Sequence, residues 1–320
     1  MAAAVAILLL LLGLALIIKG GDVFVDAAVW MAEATGIPKF IVGATVVSFA
    51  TTLPEMLVSV IATAEGKSDM AIGNAVGSVT ANIGLIMAIA LICIPMVIKR
   101  RDYLLKSLLM LFAAGVIVVF GRSGSFRLLP CVILVLVFAA AMTDNVLVAK
   151  KTMSGAGKED RIPFEKKKLW INILKFAAGA AAIVWGADLL VDNGSALARM
   201  CGVPERVISV TLIAIGTSLP ELATTITAIV KKQGSLSVGN IIGANIIDLS
   251  LIIPVCSLVG GGSLTVSPQV SRFDLPAALV IGAVAVIPTL IFAKFRRSQG
   301  AVMLALYIGY ILLTAGIIVL

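Results

Sequence analysis

Thr51-Thr52-Leu53-Pro54-Glu55 recurs 166 positions later as Thr217-Ser218-Leu219-Pro220-Glu221. Both copies lie inside long apolar segments. An acidic side chain at the centre of a membrane helix costs roughly 2.5–3.5 kcal/mol on insertion scales. Two of them in one matching context predict a site built for a cation. The rest of the chain either brings Glu55 and Glu221 together or encloses them.

The 320 residues are 60% hydrophobic and only 13% charged, about half the charge of a soluble domain, which runs near 25%. Mean hydropathy is +1.13. Apolar runs long enough to cross a bilayer recur throughout, and the alternating ten-residue segments of a membrane barrel are absent. A net charge of +8 does not point to nucleic acid, because the basic residues sit in short loops where they set topology. Cys93, Cys131, Cys201 and Cys256 are scattered without a CxxC pair and read as small membrane hydrophobes. No histidine is present, which excludes imidazole metal sites and histidine proton relays. The N-terminal apolar stretch lacks a positive leading region and reads as a retained first span.

Ten spans are expected, near 3–34, 39–64, 70–94, 103–120, 127–149, 169–200, 205–230, 235–258, 273–293 and 300–319, with the second interrupted at Leu53-Pro54 and the seventh at Leu219-Pro220. Residues 20–82 align with 186–248 without a gap, and 16 of the 63 pairs are identical. The matches include Asp22/Asp188, Asp26/Asp192, Pro38/Pro204, Thr45/Thr211, Gly73/Gly239, Asn74/Asn240 and Gly77/Gly243, so shared hydrophobicity does not explain them. The chain therefore reads as a duplication, with a first repeat over 1–149, a cytoplasmic linker over 150–168 and a second repeat over 169–320. Five spans per repeat invert the second copy. With the linker in the cytoplasm, 17 basic residues fall on cytoplasmic loops and span ends and 6 outside, which satisfies the positive-inside rule and puts both termini outside. The fold class is all-α: a polytopic membrane protein of ten transmembrane helices in two inverted five-helix repeats, with broken helices at the ion site. Inverted repeats with broken helices are a transporter architecture whose sites lie at the repeat interface.

Proline removes an amide donor and clashes with the preceding turn, so a helix break is expected near Thr51–Leu53, with Pro54 restarting the helix. Carbonyls around Ser48 to Thr52 then need a partner. Thr51 and Thr52 add hydroxyls and Glu55 a carboxylate, a set of hard oxygens suited to Ca²⁺ and Na⁺. Ala214 to Glu221, with Thr217 and Ser218, supplies the same set from the other repeat. A simple proline kink is the plain alternative for one copy; two copies with embedded glutamates favour ligation. Glycines four apart in Gly73–Asn82 (GNAVGSVTAN) and Gly239–Asp248 (GNIIGANIID) permit close helix approach. Asn82 and Asp248 end these stretches at equivalent positions and, with Ser78, are expected to complete a polar cluster around the glutamates. Asp22, Asp26, Asp188 and Asp192 pair at four-residue spacing on the long first helix of each repeat and are left outside the site, lining a vestibule or solvating the interface.

On these motifs the chain resembles the calcium/cation antiporter superfamily, most nearly the short prokaryotic sodium/calcium exchanger type. The signature regions, rich in G-T-S-L-P-E and G-N-x-x-G-S-N, correspond to residues 43–82 and 209–248. The resemblance implies that Glu55 and Glu221 bind Ca²⁺ and Na⁺ alternately. It places carbonyls near Ser48 and Ala214, and oxygens of Thr51, Thr52, Thr217, Ser218 and Ser78, in the sodium sites and part of the calcium site. Asn82 and Asp248 finish the centre, and spans 1 and 6 slide to alternate access. Three departures stand out. Ala50-Thr51-Thr52 replaces Gly-Thr-Ser, Ser48 replaces alanine, and Ala244 stands where a serine normally gives a hydroxyl to an outer sodium site.

The function expected is Na⁺/Ca²⁺ antiport at the plasma membrane, with Ca²⁺ exported on the sodium gradient. The alternative is an H⁺/Ca²⁺ or other divalent antiporter. T-T-L-P-E is unlike the proton-coupled branch's G-N-x-x-E, which favours sodium. No enzyme is expected, since no hydrolase signature accompanies the paired acids. No cofactor and no obligatory protein partner are implied, only the transported ions and the bilayer.

Overall fold

The computed structural model describes residues 2–93, 100–155, 166–202 and 216–314. Its helices are α1 (Ala2–Thr35), α2 (Lys39–Ala64), α3 (Ser68–Cys93), α4 (Arg100–Gly121), α5 (Leu128–Gly155), α6 (Lys166–Met200), α7 (Leu219–Val230), α8 (Gly234–Val259), α9 (Val270–Phe292) and α10 (Arg297–Thr314). Each coincides with one expected span. Eight are long and apolar enough to cross a bilayer among the described residues; α7 is the shorter second half of its span. α5 runs on to Gly155 and α6 begins at Lys166, so both helices extend into the stretch expected as a linker; residues 156–165 between them lie outside the described residues.

The proline motif behaves differently in its two copies. α7 starts at Leu219 with Pro220 in its first turn, and Thr217 and Ser218 form the turn before it. This is the expected restart, because proline has no amide to waste there. α2, by contrast, is not interrupted at Leu53-Pro54. It continues helically through Pro54 and instead widens into a π-helical turn over Gly43–Val47. Proline deletes one donor and crowds one carbonyl, and a membrane helix tolerates this when neighbours satisfy what is freed.

α1 and α6 lie against one another over much of their length. A Cβ at Gly13 would come within 2.7 Å of the Gly186 carbonyl oxygen, and one at Gly20 within 3.0 Å of that of Gly179. Phe24 stacks on Phe176 with centroids 4.3 Å apart. As the number rises along α1 it falls along α6, so the two helices are antiparallel. They are each other's counterparts at the 166-residue offset, so antiparallel packing is what inverted repeats require.

The remaining helices enclose a continuous core that includes Ile72, Ile83, Met87, Ile117, Ile241, Ile246, Leu249 and Ile281, all buried. α8 lies directly on the start of α2. A Cβ at Gly239 would collide with the Phe40 carbonyl, one at Gly43 with that of Leu236, and one at Gly243 would sit 2.7 Å from Ala44 Cα. The packing role expected for Gly239 and Gly243 is thus realised. Gly73 and Gly77 have no described atom within 4 Å of such a Cβ; the segment equivalent to residues 40–44 is 206–210, outside the described residues. On one face of the bundle, β1 (Ser125–Phe126) pairs antiparallel with β2 (Leu264–Thr265), and the Ser267 amide donates to Asp69 Oδ1 at 3.0 Å. The loops after α2, α4 and α8 therefore share one side.

Candidate ion site between the two repeats

Glu55, Glu221 and Asp248 are all essentially excluded from solvent. In α2, Ser48, Thr51, Thr52 and Glu55 are buried together. Spacings of three and four residues put them on one helical face. Thr52 Oγ1 donates to Glu221 Oε1 at 3.3 Å, across the repeats. Because Thr52 lies one turn from Glu55, this contact sets the two glutamates beside one another. Glu221 occupies the first turn of α7, where the helix dipole favours an anion.

Among the described residues, neither oxygen of Glu55 has a hydrogen-bond partner, and neither has either oxygen of Asp248, nor Glu221 Oε2. Ser78 Oγ, Ser218 Oγ and Asn82 Oδ1 are buried and likewise without a partner among the described residues. Buried polar atoms are ordinarily satisfied. A set of acceptors left open in one region fits a cation that supplies the missing positive charge. No three acidic, Cys or His side chains converge within metal-holding reach among the described residues. The donor set is therefore mixed, with carboxylates supplemented by hydroxyl and amide oxygens.

Asn82 and Asp248 hold equivalent places in α3 and α8. At each of them the helix widens into a π-helical turn, Asn82–Met87 and Asp248–Ile252. Such turns add a residue to one helical turn and recur at functional sites. Of the other predicted residues, Thr217 is half-buried just ahead of α7, and Ala214 lies outside the described residues. Ser48 departs from expectation. No helix break releases its carbonyl, which sits inside continuous helix and has Thr51 Oγ1 3.3 Å away. Its own hydroxyl donates to the Thr45 carbonyl at 3.0 Å.

Several supporting residues escaped sequence reasoning. Asn74 Nδ2 donates to the Glu55 carbonyl at 3.0 Å and to Ser59 Oγ at 2.9 Å. Asn240, its counterpart, accepts from Thr51 at 3.3 Å and donates to Thr224 Oγ1 at 3.0 Å, while Thr224 in turn donates to the Glu221 carbonyl at 3.0 Å. Each asparagine thus braces the turn that carries a glutamate. Their coincidence at the 166-residue offset was the available signal. Asn245 accepts from Asn82 Nδ2 at 3.2 Å, and Asn145 donates to the Ala44 carbonyl at 3.3 Å. Asn245 has only Val79 as its counterpart, and Asn145 lies outside the aligned stretch, so for neither did the repeat give a signal.

A buried oxygen site framed by two inverted halves is how secondary transporters are built. The family model described as sodium/calcium exchanger protein matches residues 5–144 and 171–316, and the chain belongs to that family. It is an integral membrane antiporter. It is 30% identical to the sodium/calcium exchanger MaX1 of Methanosarcina acetivorans, over 95% of this chain and 97% of the relative. It is 33% identical to the inner membrane protein YrbG of Escherichia coli, over 80% of each. Among solved structures, the sodium-calcium exchanger NCX_Mj superposes with a TM-score of 0.79 at 28% identity, covering 97% of this chain and 98% of that one.

Proposed function

We propose that this chain exchanges Na⁺ for Ca²⁺ by alternating access, with Glu55 and Glu221 at the centre of a shared site. The observation that carries the reading is the pair of buried glutamates, one from each half, with open carboxylate oxygens and the Thr52–Glu221 contact between them. In this reading Asp248, Asn82, Ser78, Thr51, Thr217 and Ser218 complete the oxygen set, together with the Ser48 carbonyl and the Ala214 carbonyl that the family resemblance implies. The carboxylates can face one Ca²⁺ or several Na⁺ but not both sets together. An unloaded site leaves like charges clustered away from water, which disfavours moving it empty and couples the two fluxes.

The same reading divides the chain into repeats over 1–149 and 169–320 around a cytoplasmic linker. It sets the protein in the plasma membrane with both termini outside and Ca²⁺ leaving the cytoplasm. The cytoplasmic excess of basic residues supports this orientation, as does the gathering of three loops assigned outside on one face. The deciding experiment is radiolabelled Ca²⁺ uptake into sodium-loaded proteoliposomes, against sodium-free and pH-gradient controls. Uptake that needs internal sodium supports the proposal; uptake driven by pH alone moves the protein to proton coupling.

Two substitutions probe the periphery. Asn240→Ala removes two buried hydrogen bonds, from Thr51 and to Thr224, and leaves those hydroxyls only the Ser48 and Glu221 carbonyls; each bond lost costs about 0.5–1.5 kcal/mol. Half-saturation for Ca²⁺ should rise about tenfold while the variant still elutes as a folded species. Ala244 is fully buried and brings no side-chain oxygen. Ala244→Ser should lower the sodium concentration for half-maximal exchange and steepen the sodium dependence; an unchanged sodium curve would remove this position from the sodium sites.

A further inference from the structure

Lys231, at the end of α7, reaches back to α1. Its Nζ lies 2.7 Å from Asp26 Oδ1 and 3.4 Å from Asp22 Oδ1, and donates to the Asp22 carbonyl at 3.2 Å. One helical turn deeper the same two helices touch closely: a Cβ at Gly21 would stand 2.7 Å from Thr227 Oγ1. The repeat supplies a built-in comparison. Asp22 and Asp26 correspond to Asp188 and Asp192 on α6, but Lys231-Lys232 corresponds to Glu65-Gly66 at the end of α2. Gly21 corresponds to Ala187, and Thr227 to Ile61.

The counterpart contact is accordingly opposed twice. Glu65 would meet two aspartates instead of neutralising them, and its own partner, Lys67 at 2.6 Å, is already engaged. Ala187 and Ile61 add a methyl and a larger side chain where Gly21 and Thr227 fit. The structure shows the same asymmetry. α1 packs along α7, whereas α6 makes only slight contact with the second half of α2, where Ile61 is exposed. Asp188 and Asp192 make no ion pair among the described residues.

In a transporter built from inverted repeats, the opposite-facing state is reached when the halves exchange conformations. We propose that Lys231, bridging Asp22 and Asp26, is a latch holding α1 on α7, and that the opposed counterpart at Glu65 makes the state closed at the Lys231 end the resting state of the cycle. The inference rests on the alternating-access reading above. A partly exposed ion pair is a modest lever, so it biases the two states by about threefold to fivefold and does not forbid either.

The test is hydrogen–deuterium exchange of the full chain in lipid nanodiscs, free of Na⁺ and Ca²⁺, comparing residues 219–230 with 53–64. Lys231→Asp should speed exchange in 219–230 by about threefold and slow it in 53–64, because freeing one contact populates the other. Glu65→Lys, which builds the missing counterpart, should shift both segments the same way. Asp26→Lys combined with Lys231→Asp should restore the original pattern. Faster exchange in 219–230 with no change in 53–64 is local fraying and overturns the latch, as does failure of the charge swap to rescue. Radiolabelled Ca²⁺ exchange in vesicles reports separately on the antiport reading. Exchange without the reciprocal shift overturns the latch alone; a reciprocal shift without exchange keeps the latch and overturns the ion assignment.

Discussion

Glu55→Gln and Glu221→Gln should each abolish sodium-driven Ca²⁺ uptake, with residual flux at least about a hundredfold below the parent chain. The loss is electrostatic in origin. A unit charge roughly 4 Å from a monovalent ion contributes about 4 kcal/mol at an effective dielectric near 20, and about twice that for a divalent ion. Even after the cost of stripping water is subtracted, one carboxylate is worth several decades of Ca²⁺ affinity. Both side chains are buried, and glutamine keeps the volume and one oxygen while removing a buried charge, so the variants should fold. Radiolabelled uptake in matched proteoliposomes, with size exclusion as the folding check, measures the effect. Uptake above a tenth of the parent level in either variant would move the ion away from these residues. The two losses should be similar, because Glu55 and Glu221 come from equivalent places in their repeats.

Gly239→Ala should be the most damaging conservative change in the bundle. The new methyl would collide with the backbone carbonyl of Phe40. Crowding a side chain costs about 1–3 kcal/mol, and a backbone clash costs more because no rotamer change relieves it. It also strikes just ahead of the π-helical turn of α2, so the error propagates toward Thr51 and Thr52. Gly115→Ala is the control. It lies within α4 with no described atom within 4 Å of the added methyl, and alanine favours helix over glycine by about 1 kcal/mol. Thermal denaturation in detergent should show a large drop, or no folded peak, for Gly239→Ala and little change for Gly115→Ala. Equal behaviour would mean that the α2–α8 approach is looser than the structure shows.

Span positions, the duplication and the two acidic motifs were legible because hydropathy and a gapless offset are properties of sequence alone. The local fate of each proline was not. Leu53-Pro54-Glu55 and Leu219-Pro220-Glu221 are identical tripeptides, yet one sits inside a continuous helix and the other begins a helix. Neighbouring helices decide which outcome is tolerated, and those are not written into the tripeptide. The π-helical turns were invisible for a related reason, since one extra residue per turn leaves hydrophobic periodicity nearly unchanged. Asn74 and Asn240 stood out as repeat identities. Their role needed geometry, because each acts on a carbonyl or hydroxyl far away in the chain.

The crossing of α1 and α6 also bears on ancestry. Gly13 and Gly179 are one position in the repeat, and Gly20 and Gly186 are another. The two close approaches, Gly13 with Gly186 and Gly20 with Gly179, are therefore the same contact made twice about a pseudo-dyad, as in a symmetric dimer. A half-length gene product carrying those two glycines would present both close approaches to a copy of itself inserted upside down. Fusion of the halves would add no new chemistry to that interface; it would fix which copy faces which way, and so free each to diverge.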